Sequence, residues 1–392
     1  MKKNFLWDAL IIISLTALVI GGVAWPLQRA TWGIENATDT TEVTGGRFDA
    51  PTVSLAAVGD IMLSRKVGRY IDQNGTDYPV REVAGRLAQA DITFGNLESP
   101  IGTGGRRLPG KGIWFRAEPW TVSSLVYSGF DVVSVANNHA LDYDSEAFLE
   151  TLSNLKDNNI RSVGGGENIV EARKPVIIEE NGLKIGFLAY SEMADIIWSF
   201  QYPRRLMAEE DQAGIAPAAA TGITDVDTDP HIQAVLEDVK KLVPKVDVVI
   251  VSLHWGQEYN YEPLDYQRQF AYRLIDAGVD LIVGHHPHTL QGLERYKQGL
   301  IAYSLGNFIF DQSFSQQTSE GLMLEAVLSP VGVKTATISP VLIKNAQAQV
   351  AEGETADRIN GITARLSQEL GLDFGWQSAM PVLSLKDEGV KI

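Results

Sequence analysis

The chain has 392 residues, with 33 basic and 49 acidic side chains and a formal charge of −16. That balance excludes a protein that holds nucleic acid by bulk charge, and it equally excludes holding an anionic polymer by charge alone. With no cysteine in the chain, disulfides, thiolate-ligated zinc, iron–sulfur clusters and cysteine nucleophiles are all excluded.

Lys2 and Lys3 precede an uncharged run at 9–27 that is just long enough to cross a bilayer as one helix. The lysines favour a cytoplasmic N-terminus with the rest of the chain outside. Residues 1–8 therefore read as a cytoplasmic start, 9–27 as a transmembrane anchor and 28–51 as a polar stalk. The competing reading is a cleaved signal peptide with its site at Gly22-Val23-Ala24. The expected location is the cell membrane, single-pass, with the C-terminal part outside the cytoplasm.

Short apolar, β-branched runs recur at 53–58, 92–94, 131–135, 184–189, 247–253, 280–283 and 300–304. Helical patterns lie between several of them, at 79–90, 145–158, 230–243 and 264–277. Buried strands alternating with helices predict an α/β domain, here 52–345. Residues 322–328 and 333–343 predict a later antiparallel pair, with Pro340 expected to put the second at a sheet edge or break it. The remainder, 346–392, reads as a closing helix over 359–370 and a tail. Residues 194–229 are poor in pattern and read as a long insertion or lid. Gly164-Gly165-Gly166 lacks the Lys-Ser/Thr of a phosphate-binding loop and reads as a turn.

Polar residues collect just past the strand runs. Asp60, Asn96 with Glu98, Asn138 with His139, His254 with Glu258, then His285, His286 and His288, and finally Asn307 all occupy such positions. In open α/β sheets ligands bind beyond the carboxyl ends of strands, so six strands deliver Asp, Glu, Asn and His towards one rim. The chain has six histidines, and five lie at these ends; His231, at a helix start, is the exception. Imidazole and carboxylate together suit a divalent ion such as Mn, Zn, Fe or Mg. The bland alternative is a polar hydrogen-bond network in a metal-free cleft.

The order Val58-Gly59-Asp60, Asn96-Leu97-Glu98, Ala136-Asn137-Asn138-His139, Ser252-Leu253-His254-Trp255-Gly256, Gly284-His285-His286-Pro287-His288 and Tyr303-Ser304-Leu305-Gly306-Asn307-Phe308 resembles the CapA family. These poly-γ-glutamate capsule synthesis proteins look like relatives of calcineurin-type metallophosphoesterases. The resemblance covers about 54–311. It implies a four-layer α/β/β/α sandwich of metallophosphoesterase type, preceded by a membrane helix. It also implies metal ligands among Asp60, Glu98, Asn138, His254, His285, His286 and His288, with His139 as the general acid. Two positions depart from the phosphoesterase pattern. Met62 stands where Asp-x-His has its histidine, and Asn96 stands where a bridging aspartate belongs, with Glu98 the nearest carboxylate. A single ion, a rearranged pair and no ion all stay open.

Asp142 either orients His139 or caps the helix near Ser145. Glu258 is a candidate carboxylate behind the ligands, or a base. Asn96, Arg116, Trp255 and Asn307 are candidate substrate contacts. Arg106, Arg107, Lys111 and Arg116 form a basic patch that either meets an anionic substrate or is a solvated loop. Trp255 either walls the cleft or packs in the core. The resulting expectation is a membrane-anchored protein for synthesis, export or anchoring of poly-γ-glutamate or a related envelope polymer, through a metal-dependent hydrolase- or transferase-like site. Membrane polymer-synthase subunits are candidate partners. An extracytoplasmic metallophosphoesterase and a non-catalytic scaffold are the alternatives, so whether the chain is an enzyme stays open.

Overall fold

The computed structural model describes residues 50–220, 225–373, 375–377 and 380–384. The expected anchor at 9–27 lies outside them, and among the described residues no helix is long and apolar enough to cross a membrane.

In chain order the strands are β1 (Val53–Ile61), β2 (Ile92–Leu97), β3 (Val132–Ser134), β4 (Arg161–Val163), β5 (Gly165–Gly166), β6 (Val176–Glu180), β7 (Leu183–Ser191), β8 (Gly214–Ile215) and β9 (Val248–His254). They continue with β10 (Leu281–His285), β11 (Leu293–Tyr296), β12 (Gly299–Ala302), β13 (Asn307–Ile309), β14 (Glu320–Ser329), β15 (Gly332–Lys344), β16 (Gln347–Val350), β17 (Gly375–Gln377) and β18 (Met380–Ser384). The helices that matter below are α1 (Arg65–Asn74), α2 (Ala84–Leu87), α3 (Val122–Tyr127), α4 (Asp144–Asp157), α5 (Ile169–Ala172), α6 (Pro230–Leu242), α7 (Asp265–Asp276) and α8 (Gly353–Glu369).

A ten-stranded sheet runs β17-β18-β15-β14-β1-β2-β3-β4, with β13 beside β1 and β16 beside β15. A six-stranded sheet runs β11-β12-β10-β9-β7-β6. Strand alternation gives the second sheet two apolar faces. Ile185, Phe187, Ile250 and Val283 share one core with Val58, Phe94 and Leu324 of the first sheet. The Phe94 and Phe187 rings stack at 5.6 Å across that interface. Leu188, Val249, Val251, Leu253 and Ile282 face the other way, onto α6 and α7. In α6 the buried residues Ile232, Val235, Leu236, Val239 and Leu242 follow helical spacing, and Asp229 caps its first turn by accepting the His231 and Ile232 N–H groups.

Four aspartates repeat one local device. Asp91, Asp131, Asp247 and Asp280 each stand just before a parallel strand, and each carboxylate accepts a neighbouring strand's backbone N–H, from Ser54, Thr93, Lys184 and Val249 at 2.8–2.9 Å. The backbone N–H of each donates back to Ser54, Thr93, Lys184 or Val249. This fixes the register at the amino ends of the strands and leaves the carboxyl ends to carry function.

Three sequence expectations change. The helix expected at 79–90 is α-helical at Ala84–Leu87 alone, because tight bonds such as Val80 N–H to Asp77 O and Val83 N–H to Val80 O wind the preceding residues into turns. Strand β15 runs unbroken through Pro340, paired with β14 on one flank. The Pro340 carbonyl accepts the Ala351 N–H, so its ring nitrogen faces that same flank, in the interval between the β18 and β16 pairings. The ladder to β14 therefore loses no donor. The described part of 194–229 is packed: β8 pairs with β5, and Leu206, Ala208, Ala213 and Ala216 are buried.

Candidate metal centre

Register brings the site residues together. Asp60 stands opposite Asn96 on β2 and opposite Asn307 on β13. His254 stands opposite His285 where β9 and β10 end. Since the two sheets share a core, these two rows meet. Two glycines make the approach possible: a Cβ on Gly59 would lie 1.9 Å from the Gly306 carbonyl oxygen, and one on Gly284 would lie 1.9 Å from that of Tyr303.

Single ligand atoms of Asp60, Glu98 and His288 lie within 4.8 Å of one another, all buried. His288 Nε2 is 3.7 Å from Glu98 Oε1, and its Nδ1 is 3.3 Å from Asp60 Oδ2 and 2.9 Å from Asn307 Oδ1. His285 Nδ1 is 3.3 Å from Asp60 Oδ1. His286 and His288 adopt φ of 97° and 56°, a left-handed turn that lets the His286 N–H donate to Asp60 Oδ2 at 3.3 Å. His254 Nε2 lies 3.0 Å from Asn138 Oδ1, and its Nδ1 lies 3.3 Å from Asn96 Nδ2. The His254 and His286 rings lie 4.7 Å apart. The seven candidate ligands thus gather in one buried cluster.

The charges are those of a crowded, buried site. Burial would raise the Asp60 carboxyl, but the bonds and charges of His285 and His288 hold it well below the carboxylate range. Burial pushes Glu98 well above that range, against the pull of His288, and neighbouring Asp60 and Glu258 push it further. Burial would lower His288, yet Glu98 and Asp60 raise it to about 9. His254 is lowered well below the ordinary imidazole value, and His286 to about 3, first by burial and then by other imidazoles.

Both Glu98 oxygens, Nε2 of His285 and Nδ1 of His286 are buried without a hydrogen-bond partner, and His285 Nδ1 has only its Asp60 contact. Each such atom costs about 1–3 kcal/mol if it stays unpaired. Carboxylate, imidazole and amide oxygen at this spacing are the donor set of a divalent ion, and the unpartnered atoms fit one. Met62, which replaces the expected histidine, takes no part: its sulfur accepts the Ser64 N–H at 3.1 Å and O–H at 3.0 Å.

Beside the cluster, His139 Nδ1 donates to Asp142 Oδ2 at 2.6 Å, and the His139 ring stacks on Phe115 at 3.8 Å. Asp142 also accepts the Phe115 N–H at 2.6 Å and pairs with Lys111, whose ammonium also reaches the Asn138 carbonyl. Asp142 thus orients His139 and does not cap α4. Burial lowers His139 to about 4, against the pull of Asp142.

The four candidate substrate contacts and Lys111 of the basic patch each take another place. Trp255 is 1% exposed, stacks on Tyr303 and donates to the Tyr303 carbonyl, because one step past His254 the strand points to the helix side. Asn96 and Asn307 are fully buried behind the ligands: Asn96 Nδ2 donates to Asp60 Oδ1 at 2.8 Å, and Asn307 holds His288. Arg116 lies over the Tyr143 ring at 4.1 Å and donates to the Thr103 and Gly104 carbonyls, outside the ligand cluster. Lys111, grouped with the basic patch, is instead buried against Asp142. Glu258 is exposed at the rim. Sequence reasoning missed Phe115 and Asn137. Asn137 Nδ2 donates to the Leu97 carbonyl at 2.8 Å, while its Oδ1 accepts the His139 N–H at 3.1 Å. The doubled asparagine before His139 was the available signal.

The family model described as "Bacterial capsule synthesis protein PGA_cap" matches residues 54–312. The chain belongs to this family. It is 31% identical to the capsule biosynthesis protein CapA of Bacillus anthracis, over 84% of this chain and 76% of that one. It is 32% identical to the PGA biosynthesis protein CapA of Bacillus subtilis, over 76% and 74%. The matched stretch of the family model contains every candidate ligand named above. Among solved structures, a 5'-nucleotidase of Candida albicans is 12% identical over 83% of this chain and 61% of that one, with a TM-score of 0.34, too loose a likeness to transfer anything.

Proposed function

We propose that this chain is a membrane-anchored, outward-facing protein that acts in the synthesis, export or anchoring of poly-γ-glutamate or a related envelope polymer, through a metal-dependent hydrolase- or transferase-like site. The observation that carries the catalytic part is the buried Asp60–Glu98–His288 cluster with its unpartnered Glu98 and His285 atoms. Family membership supports the polymer, and the uncharged run at 9–27 supports the anchor. Two sheets with a shared core and helices on an outer face support a four-layer sandwich of the metallophosphoesterase type.

Asp60, Glu98 and His288, with His285, His286, His254 and Asn138 around them, would hold the metal. A bound divalent ion supplies positive charge that polarises a substrate oxygen. His139, its Nδ1–H committed to Asp142, keeps Nε2 free to move a proton at the reacting group. Phe115 and Lys111 fix that pair, and Asn96 and Asn307 fix ligands from behind.

Expression of the full chain in a capsule-forming Bacillus lacking its own CapA tests this. Wild type is expected to restore cell-bound poly-γ-glutamate, while Asp60→Asn and Glu98→Gln do not, at equal abundance in the membrane fraction. Full restoration by both variants overturns the catalytic reading in favour of a scaffold. Wild-type failure with proper membrane accumulation overturns the polymer reading.

A further inference from the structure

We propose a second site: the groove beside the 102–116 loop binds an anionic polymer through its lining Arg106 and Arg107, with Arg116 adjoining across Tyr143, and recognises its carboxylates. This rests on the polymer reading above and adds where the polymer is held. An acidic chain cannot attract a polyanion in bulk, so it needs a local cationic surface. The groove encloses about 670 Å³ and is lined by Arg106, Arg107, Pro109, Tyr202 and Arg204, with Asp144 and Glu146 as its carboxylates.

Asp144 is already engaged, by Arg204 Nε at 3.2 Å, Tyr202 O–H at 2.5 Å and the Ser145 N–H at 2.8 Å. Glu150, nearby, accepts the Thr103 and Gly104 N–H groups. Arg106, Arg107 and Arg116, by contrast, form no ion pair among the described residues, although acidic residues exceed basic ones in the chain. Two of these guanidiniums are held in place by uncharged partners. Arg107 lies over Trp114 at 5.4 Å and over Tyr143 at 6.0 Å, and its Nε donates to Tyr143 Oη at 3.1 Å. Arg116 also lies over the Tyr143 ring, at 4.1 Å, and spends Nη1 on the Thr103 and Gly104 carbonyls.

A guanidinium held near an aromatic ring, with N–H groups to spare, is prepared for two-point bonding to a planar carboxylate. A chain of γ-linked glutamates offers one free carboxylate per residue, which suits several such arginines in sequence. The inner edge of the same loop carries Phe115 and Lys111 against Asp142, so the polymer site and the His139 arm share one loop.

The test is binding of the full chain to fluorescently labelled poly-γ-glutamate of defined length, read by anisotropy over a range of salt, with inorganic polyphosphate as competitor. Arg106→Gln/Arg107→Gln is expected to weaken binding by about tenfold or more, flatten the salt dependence and leave metal content unchanged. Arg107→Lys keeps the charge without the fork and should lose part of the affinity. Arg106→Gln alone, at an exposed residue, keeps the test open if the double variant does not fold. Wild-type affinity in these variants overturns the groove and leaves the polymer reading standing. Tighter binding of polyphosphate than of polyglutamate overturns carboxylate recognition. Wild type binding neither polymer overturns the polymer reading, and the groove with it.

Discussion

His139 and His254 are both buried imidazoles at strand ends, yet their partners separate them. His139 commits Nδ1 to Asp142 and touches none of the ligand carboxylates, whereas His254 faces the Asn138 oxygen and sits 4.7 Å from the His286 ring. Metal analysis of purified full-length protein should therefore show His254→Ala and Glu98→Gln losing bound metal while His139→Ala keeps it and loses capsule function. Equal loss in all three at unchanged melting temperature would make His139 a ligand. Lys111 gives a second residue-scale test, because its side chain is 2% exposed beside a fully buried Asp142. Lys111→Met removes the counter-charge of that carboxylate, leaving it only the His139 and Phe115 bonds, and should cost about 3–5 kcal/mol, seen as a lower melting temperature. Lys111→Met/Asp142→Asn should recover most of it; no recovery would mean that Lys111 acts through packing alone.

The aspartate at the start of β10 shows what an element requires of one end so that the other can be functional. Asp280 is largely buried, and burial pushes its carboxyl from 3.8 up to about 6, against the bond from the Val249 N–H. The folded state holds that proton more tightly than the unfolded chain does. Its contribution to stability is therefore complete below about pH 4 and is lost as pH rises to about 6, roughly 3 kcal/mol across the interval. Asp280→Asn keeps an oxygen for the Val249 N–H and carries no charge. Thermal melts should show a flatter profile between pH 4 and 6 and a higher melting temperature at pH 8 than wild type. A lower melting temperature for the variant at both ends would mean that the charged bond outweighs burial.

Across the whole molecule, the centre joins two sheets that otherwise meet through apolar side chains. Asp60 and Glu98 come from the first sheet, and His254 and His285 end strands of the second, with His288 on the loop that follows. An ion held between them would bind the folded state only, so it should stabilise the fold by mass action, about 2.7 kcal/mol at a hundredfold excess over its Kd. Chelation of the full chain should lower the melting temperature, and Mn or Zn should restore it. Glu98→Gln should shrink that shift. A chelator-insensitive melt in wild type would remove the metal from the proposal.

Periodicity and composition alone placed the strand runs, the helices at 145–158, 230–243 and 264–277, and the gathering of Asp, Glu, Asn and His at strand ends. Those features depend on local spacing, which a sequence states directly. The pairing of Asp60 with Asn96 and Asn307, and of His254 with His285, depends on register between strands distant in sequence. The fate of Trp255 was likewise undecided until the strand's facing was known, since alternation says that it opposes His254 but not which face is wet. Lys111 read as surface charge because its partner, Asp142, is 31 residues away. Only the tertiary structure decided these, because burial and partnership arise where separate elements meet.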